Sequence, residues 1–386
     1  MTASASPIER ALELAPAIAA AADQIERERR LPPALVKTLH AEGFFRLLLP
    51  RALGGVEVDP ASFVQITETI AGADASTAWV VCQTTGCSMV SAYLASDVAQ
   101  NIFGNGGVLA WGPPERSKAI TVDGGYRLSG RFNFASGSRH ATWLGGQAPI
   151  VEADGTPRRR HGGAERRTFL FPASHAVMED VWHVIGLRGT GSDSFSVDDV
   201  FVPHAHSVAR DDAAERRVQA PLYCFPQGSL YASGFAGVAM GIARTMLDDF
   251  LALARDKTPR GYTRTLRENA VTQSRVAQAE AQLGAARAYL LATLGEIWAA
   301  VGRTGALGLD QRVRIRLAAS HAIAQAREVA DFAYHAAGAT AIFTRHAFER
   351  RFRDIHAVAQ QLQGRDDHFE NVGRFLLNLP PDTTFL

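Results

Sequence analysis

From about Gly106 to Val208 the chain breaks into short strand-like runs separated by Gly, Pro and Asp, while both flanks carry helical patterning. The runs are Val108–Trp111, Ala119–Val122, Tyr126–Ala135, Thr142–Val151, Thr168–Pro172, Met178–Val184 and Phe195–Val202. That spacing predicts an antiparallel β domain or small barrel set between two helical regions. In the most regular run Tyr126, Leu128, Phe132 and Phe134 are expected on one face, with Arg127, Ser129, Arg131 and Asn133 on the other. A period of two means a half-buried strand. The strand runs into Ala135-Ser136-Gly137-Ser138, where small residues let a flat ligand lie against the backbone while one hydroxyl points at it. On local grounds alone, an amphipathic hairpin strand ending in a small-residue turn is the favoured reading. The basic stretch Arg158-Arg159-Arg160-His161 with Arg166-Arg167 reads as a solvated loop.

The N-terminal flank predicts helices over Ala11–Arg29, from Pro32-Pro33 through His40, and from Pro60 to about Gly72. A long apolar segment, ASTAWVVCQTTGCSMVSAYL, follows Asp74. Its Ser and Thr residues suit either a buried bundle helix or a helix lining a pocket. Beyond Leu230 the chain is helical to its end. Gly234, Gly237 and Gly241 predict close backbone approach to a neighbour. Val276, Ala279, Leu283, Ala286, Leu290, Leu294, Ile297 and Val301 predict a long helix with a bundle seam. The expected organisation is α+β: an N-terminal helical domain (1–105), a β-barrel or sandwich domain (106–215) and a C-terminal helical bundle (216–386).

Composition narrows the partners. In 386 residues, 40 basic side chains face 39 acidic ones, so no global field draws nucleic acid or an anionic membrane. No run of about 18 uninterrupted apolar residues predicts a membrane span, and no signal peptide is visible. Cys82, Cys87 and Cys224 are odd in number and lie in no metal spacing, so they read as reduced thiols in a cytoplasmic protein. Neither a dinucleotide fingerprint nor a phosphate-binding GxxxxGK loop occurs, and no HExxH or CxxC pattern predicts a metal site.

Four stretches, in this order, carry a family resemblance. They are Gly124-Gly-Tyr-Arg-Leu-Ser-Gly130, Phe134-Ala-Ser-Gly137, Gly186-Leu-Arg-Gly-Thr-Gly-Ser192 and Arg353-Asp-Ile-His-Ala357. With the α–β–α order they resemble the acyl-CoA dehydrogenase fold over nearly the whole chain. Within it they look closest to the oxygenase components of two-component flavin-dependent monooxygenases, the branch of 4-hydroxyphenylacetate hydroxylase and dibenzothiophene monooxygenase.

The resemblance implies reduced flavin, FMNH2 ahead of FADH2, delivered by a separate reductase, with O2 as co-substrate. It also implies a homo-oligomer, a tetramer by likeness. Such enzymes work through a flavin C4a-hydroperoxide, which must be hydrogen-bonded and kept from water. An imidazole can hold or deliver a proton near neutral pH, so His356 is the candidate for that task, with Ser136 beside flavin N5. Trp111, Phe134 and Ser136 are the expected flavin contacts, and Arg255 resembles the residue that reaches the flavin phosphate. His140 could face the pocket or be a loop histidine. Phenol-hydroxylating relatives carry a histidine where this chain has Cys87, and a thiol is a poor base for a phenol in an apolar pocket. Amine N-oxidation, sulfur oxidation and attack on another electron-rich ring therefore stay open. The dehydrogenase alternative needs a carboxylate base. Neither of its usual positions, in Tyr231–Val238 and Arg353–Gln360, supplies a Glu, although Asp354 is near the second. A non-catalytic assembly subunit is a third reading.

Overall fold

A computed structural model describes residues 5–384 except 161 and 211, together with Leu386. The N-terminal helices are α1 (Pro7–Glu28), α2 (Pro33–Ala41), α3 (Pro60–Ala73), α4 (Ala75–Ser88) and α5 (Ser96–Phe103). Ser6 and Glu9 close a capping box at the start of α1, and Asp59 and Asp74 cap α3 and α4 with side-chain oxygens. The apolar segment after Asp74 is helical only to Ser88. It tightens into a short turn over Met89–Tyr93.

The strands are β1 (Leu109–Gly112), β2 (Pro114–Val122), β3 (Gly125–Ala135), β4 (Trp143–Val151), β5 (Arg159–Arg160), β6 (Gly163–Ala164), β7 (Arg166–Pro172), β8 (Val177–Glu179), β9 (Asp193–Pro203) and β10 (Ser207–Val208). The main sheet runs β10-β7-β4-β2-β3-β9-β8, with β1 also on β4 and the β5–β6 pair apart. Its pairings are antiparallel except two: β1 and β2 both run parallel to β4. The sheet is therefore mixed, a feature that alternation within single strands does not encode. The basic stretch is not a solvated loop. Arg160 binds Asp212 and Glu215, and Arg167 binds Glu215, which staples β5 and β7 to the segment after β10. His161 of that stretch lies outside the described residues.

The C-terminal bundle comprises α6 (Gln227–Asp256), α7 (Ala270–Thr304), α8 (Leu309–Ala337), α9 (Ala347–Gln360) and α10 (Asp367–Leu376). One continuous core joins the N-terminal helices to α6 and α8. The glycines of α6 permit that union, since a Cβ on Gly237 or Gly241 would fall 2.6 Å from the Val64 carbonyl oxygen or 2.2 Å from that of Glu68, both on α3. Helix α6 has the length and apolarity of a membrane span, but 89% of that window is buried inside the fold. The seam anticipated on α7 is buried from Ala279 to Val301.

Candidate active site

Strand β3 pairs with β9, but the register slips between Phe132 and Ala135. Phe134 takes a positive φ of 55° there, so its ring swings outward and Ala135 takes the inward place. Phe134 is 61% exposed and meets the edge of Trp182 with ring centroids 6.1 Å apart. This departs from the expected apolar face, because strict alternation fails wherever a strand bulges.

The slip delivers Ser136 into the interior. The Trp79 indole Nε1 on α4 donates to its Oγ at 3.1 Å, Ser136 and Ser192 share a hydrogen bond at 2.6 Å, and Ser192 and Thr190 share one at 2.7 Å. Thr190 donates in turn to the Leu187 carbonyl at 2.8 Å, and the Gly137 N–H donates to the Thr190 carbonyl at 3.0 Å. The turn after β3 and the Gly186–Ser192 loop thus form one hydroxyl chain, nearly sealed from solvent. The loop is held from two further elements. The Leu187 N–H donates to Asp354 Oδ1 on α9 at 2.6 Å, and the Gly189 N–H donates to Ser76 Oγ on α4 at 3.1 Å. Burial pushes the Asp354 carboxyl up to about 7, with Asp74 and Glu26 adding repulsion and the Leu187 N–H pulling the other way.

From Trp79 an aromatic stack crosses to α6. Trp79 lies on Phe235 with centroids 3.9 Å apart, and Phe235 lies nearly parallel to Tyr231 at 5.7 Å. The Tyr231 hydroxyl sits 3.4 Å from the Cys87 thiol and donates to the Gln83 carbonyl at 3.2 Å. Gln227 donates to the Gly86 carbonyl at 2.6 Å and to the Tyr231 oxygen at 3.3 Å. Its own amide oxygen accepts from Arg210 at 2.5 Å, and the Arg210 guanidinium stands over the Trp111 ring, 4.7 Å from its centroid. Burial pushes the Cys87 thiol up to about 12 and raises Tyr231, so both stay neutral at pH 7.

Ser136, Cys87 and Trp111 therefore belong to one wall, joined through Ser192 of the Gly186–Ser192 motif and through residues that motif reading missed: Trp79, Tyr231, Gln227 and Arg210. Trp79 lay in a segment whose apolar run hid its indole, and Arg210 lies in a loop without period. The remaining candidates fall elsewhere. His140 Nε2 accepts from the Leu31 N–H at 3.2 Å, turned toward α2, and burial beside Arg30 and Arg139 pushes its pKa down to about 4. His356 shares a hydrogen bond with Asp331 of α8 at 2.9 Å and meets the Phe352 ring. Two residues on a helix are about 200° apart. Because Asp354 faces the loop, His356 must face away from it. Arg255 is exposed near the end of α6, 20 positions beyond Phe235, which is about 30 Å along a helix. Among the described residues no three His, Cys, Asp or Glu side chains are grouped to hold a metal.

The family patterns for the acyl-CoA dehydrogenase N-terminal and C-terminal domains match residues 13–101 and 233–363. The chain is 29% identical to indole-3-acetate monooxygenase of Pseudomonas putida, covering 93% of this chain and 90% of that one. It is 28% identical to the flavin-dependent monooxygenase oxygenase subunit HsaA of Mycobacterium tuberculosis, covering 97% and 95%. The solved structure of 3-HSA hydroxylase from Rhodococcus sp. RHA1 superposes with a TM-score of 0.90 at 26% identity, covering 99% of both chains. The chain belongs to the acyl-CoA dehydrogenase fold family, in its branch of flavin-dependent monooxygenase oxygenase components.

Proposed function

We propose that the protein oxygenates a small aromatic molecule, using O2 and reduced flavin brought by a separate reductase, with Ser136 at the flavin ring and the Cys87–Tyr231 wall facing the substrate. The observation that carries this is the meeting of Ser136, Ser192 and Thr190 on the Trp79 indole, an enclosed row of hydroxyls beside stacked rings. Such a surface fits a flat heterocycle with a polar edge. Reduced flavin, when bound, supplies the electrons that activate O2. The chain's own residues orient the ring, keep water out and hold a proton at the Ser136 hydroxyl. Neither Tyr231–Val238 nor Arg353–Gln360 supplies a Glu as the base that α-proton removal needs, which supports oxygenation over dehydrogenation. Relatives are named for indole-3-acetate, resorcinol and p-hydroxyphenylacetate, and these support an aromatic substrate. The relative acting on resorcinol is named as FADH2-dependent; for this chain we propose FMNH2 ahead of FADH2, and parallel titrations with both flavins separate them. The exposed Phe134 ring supports a homo-oligomer, a tetramer by likeness.

The test mixes the anaerobic protein with FMNH2 or FADH2, admits O2, and measures oxygenated product against hydrogen peroxide over an aromatic panel. Product that requires reduced flavin and falls in Ser136→Ala supports the reading. Flavin oxidised at its free-solution rate, with peroxide alone, overturns it.

A further inference from the structure

Arg210 differs from the half-buried arginines near it. Arg160 and Arg167 each hold a carboxylate within 3.0 Å, and Arg166 on the same cleft is exposed. Among the described residues Arg210 holds none; its guanidinium donates to the Gln227 amide oxygen, and its Nε is buried without a partner. Leaving a half-buried guanidinium without a counter-ion is costly, and such groups are ordinarily paired. The charge is placed deliberately, flat over Trp111 and tied through Gln227 to Tyr231. It is near enough to favour the ionised forms of both Cys87 and Tyr231, although burial keeps those groups neutral. Its outer side lines an open cleft of about 340 Å³. Thr168, whose buried hydroxyl also lacks a partner, lines the same cleft. The acids there, Glu165 and Asp212, are engaged by Arg167 and Arg160.

We propose that Arg210 is the counter-ion of the ligand: it takes the carboxylate of an aromatic acid whose ring lies toward Trp111, Tyr231 and Cys87. This rests on the monooxygenase reading and narrows its substrate class. Arginine suits the task because its planar fork matches a carboxylate bidentately while its face stays on the indole. An organic phosphate offers the same anionic oxygens, so the flavin's own phosphate is the competing source.

The experiment titrates the full-length protein anaerobically, with and without FMNH2, with two matched pairs: indole-3-acetate against indole-3-acetamide, and 4-hydroxyphenylacetate against its amide. Wild type should bind at least one acid about tenfold or more tighter than its amide, the scale of a charge-assisted hydrogen bond. The preference should vanish in Arg210→Gln and survive in part in Arg210→Lys, with FMN affinity unchanged in both. Equal binding of acid and amide by wild type, or binding of neither, overturns the proposal even where a variant fails to fold. A preference that persists in Arg210→Gln overturns it as well. Weaker binding of FMN but not of riboflavin in that variant assigns Arg210 to the flavin phosphate and also overturns it. Failure of wild type to bind reduced flavin would instead sink the monooxygenase reading, and the acid–amide comparison still judges Arg210 separately.

Discussion

The two halves of the candidate site are built differently. Around Ser136 the polar atoms belong to two glycine-containing turns that are each compact in sequence, and backbone hydrogen bonds hold them in register. Around Cys87 the wall is assembled from single side chains of α4, β1, the segment after β10 and the start of α6, with side-chain amides as ties. The first half is fixed by backbone geometry and suits a constant task at the flavin. The second depends on packing and can change from relative to relative without disturbing the fold.

The sharpest way to break that contrast is Gly86→Ala. A Cβ there would stand 2.3 Å from the Tyr231 ring, which lies parallel to Phe235 and is tied at its hydroxyl. We expect a loss of about 3 kcal/mol, read by thermal melting, with substrate binding disturbed more than flavin binding. Flavin affinity falling first would mean that the two halves are one unit. Ser136→Ala should act the opposite way. It removes the acceptor of the Trp79 N–H and a partner of Ser192, costing about 2 kcal/mol. The yield of product per flavin oxidised should drop about tenfold, the scale of one lost hydrogen bond, while substrate binding holds.

Legibility follows the same division. The FASG and GLRGTGS stretches were visible because a tight turn needs glycines and small residues at fixed places, although their meeting was not. The α7 seam and the α6 glycines were visible because helical period and close packing leave a regular trace. Phe134 was misplaced because a bulge shifts parity without leaving a residue of its own, and the parallel pairings on β4 depend on chain routing. Arg210, Gln227 and Trp79 carry no local pattern, since their partners lie on other elements. His356 is read as functional from its imidazole and its place in Arg353–Ala357, but two positions from Asp354 on a helix it points away from the Gly186–Ser192 loop.

Asp354 ties the fixed half to α9, and its titration gives a pH test. Its carboxyl is raised from the usual 3.8 to about 7 in the folded protein. The folded state therefore binds the proton more tightly than the unfolded one. Stability from this group is full below about pH 4 and is lost as pH rises toward about 7. In Asp354→Asn the amide oxygen still accepts from the Leu187 N–H but does not titrate. The variant should match wild type near pH 4 and exceed it above pH 7 by on the order of 4 kcal/mol. Melting curves at both pH values measure this, and a constant difference would show that the carboxyl is not strained by burial.

The smallest expected effect belongs to His356→Ala. Its bond to Asp331 is about one-third exposed on each side, so its removal should cost under about 1 kcal/mol. Product yield per reduced flavin should stay near wild type, because the ring lies on the side of α9 turned from Leu187 and Asp354. A collapse in yield, with melting unchanged, would instead place the outer side of α9 against a reacting flavin. That geometry within one chain conflicts with Asp354 holding the Gly186–Ser192 loop, so the flavin would have to belong to a neighbouring copy. Mixed oligomers of wild type and His356→Ala would then lose activity out of proportion to the variant fraction. Retained yield confines the oxygen-handling residues to the Ser136 side.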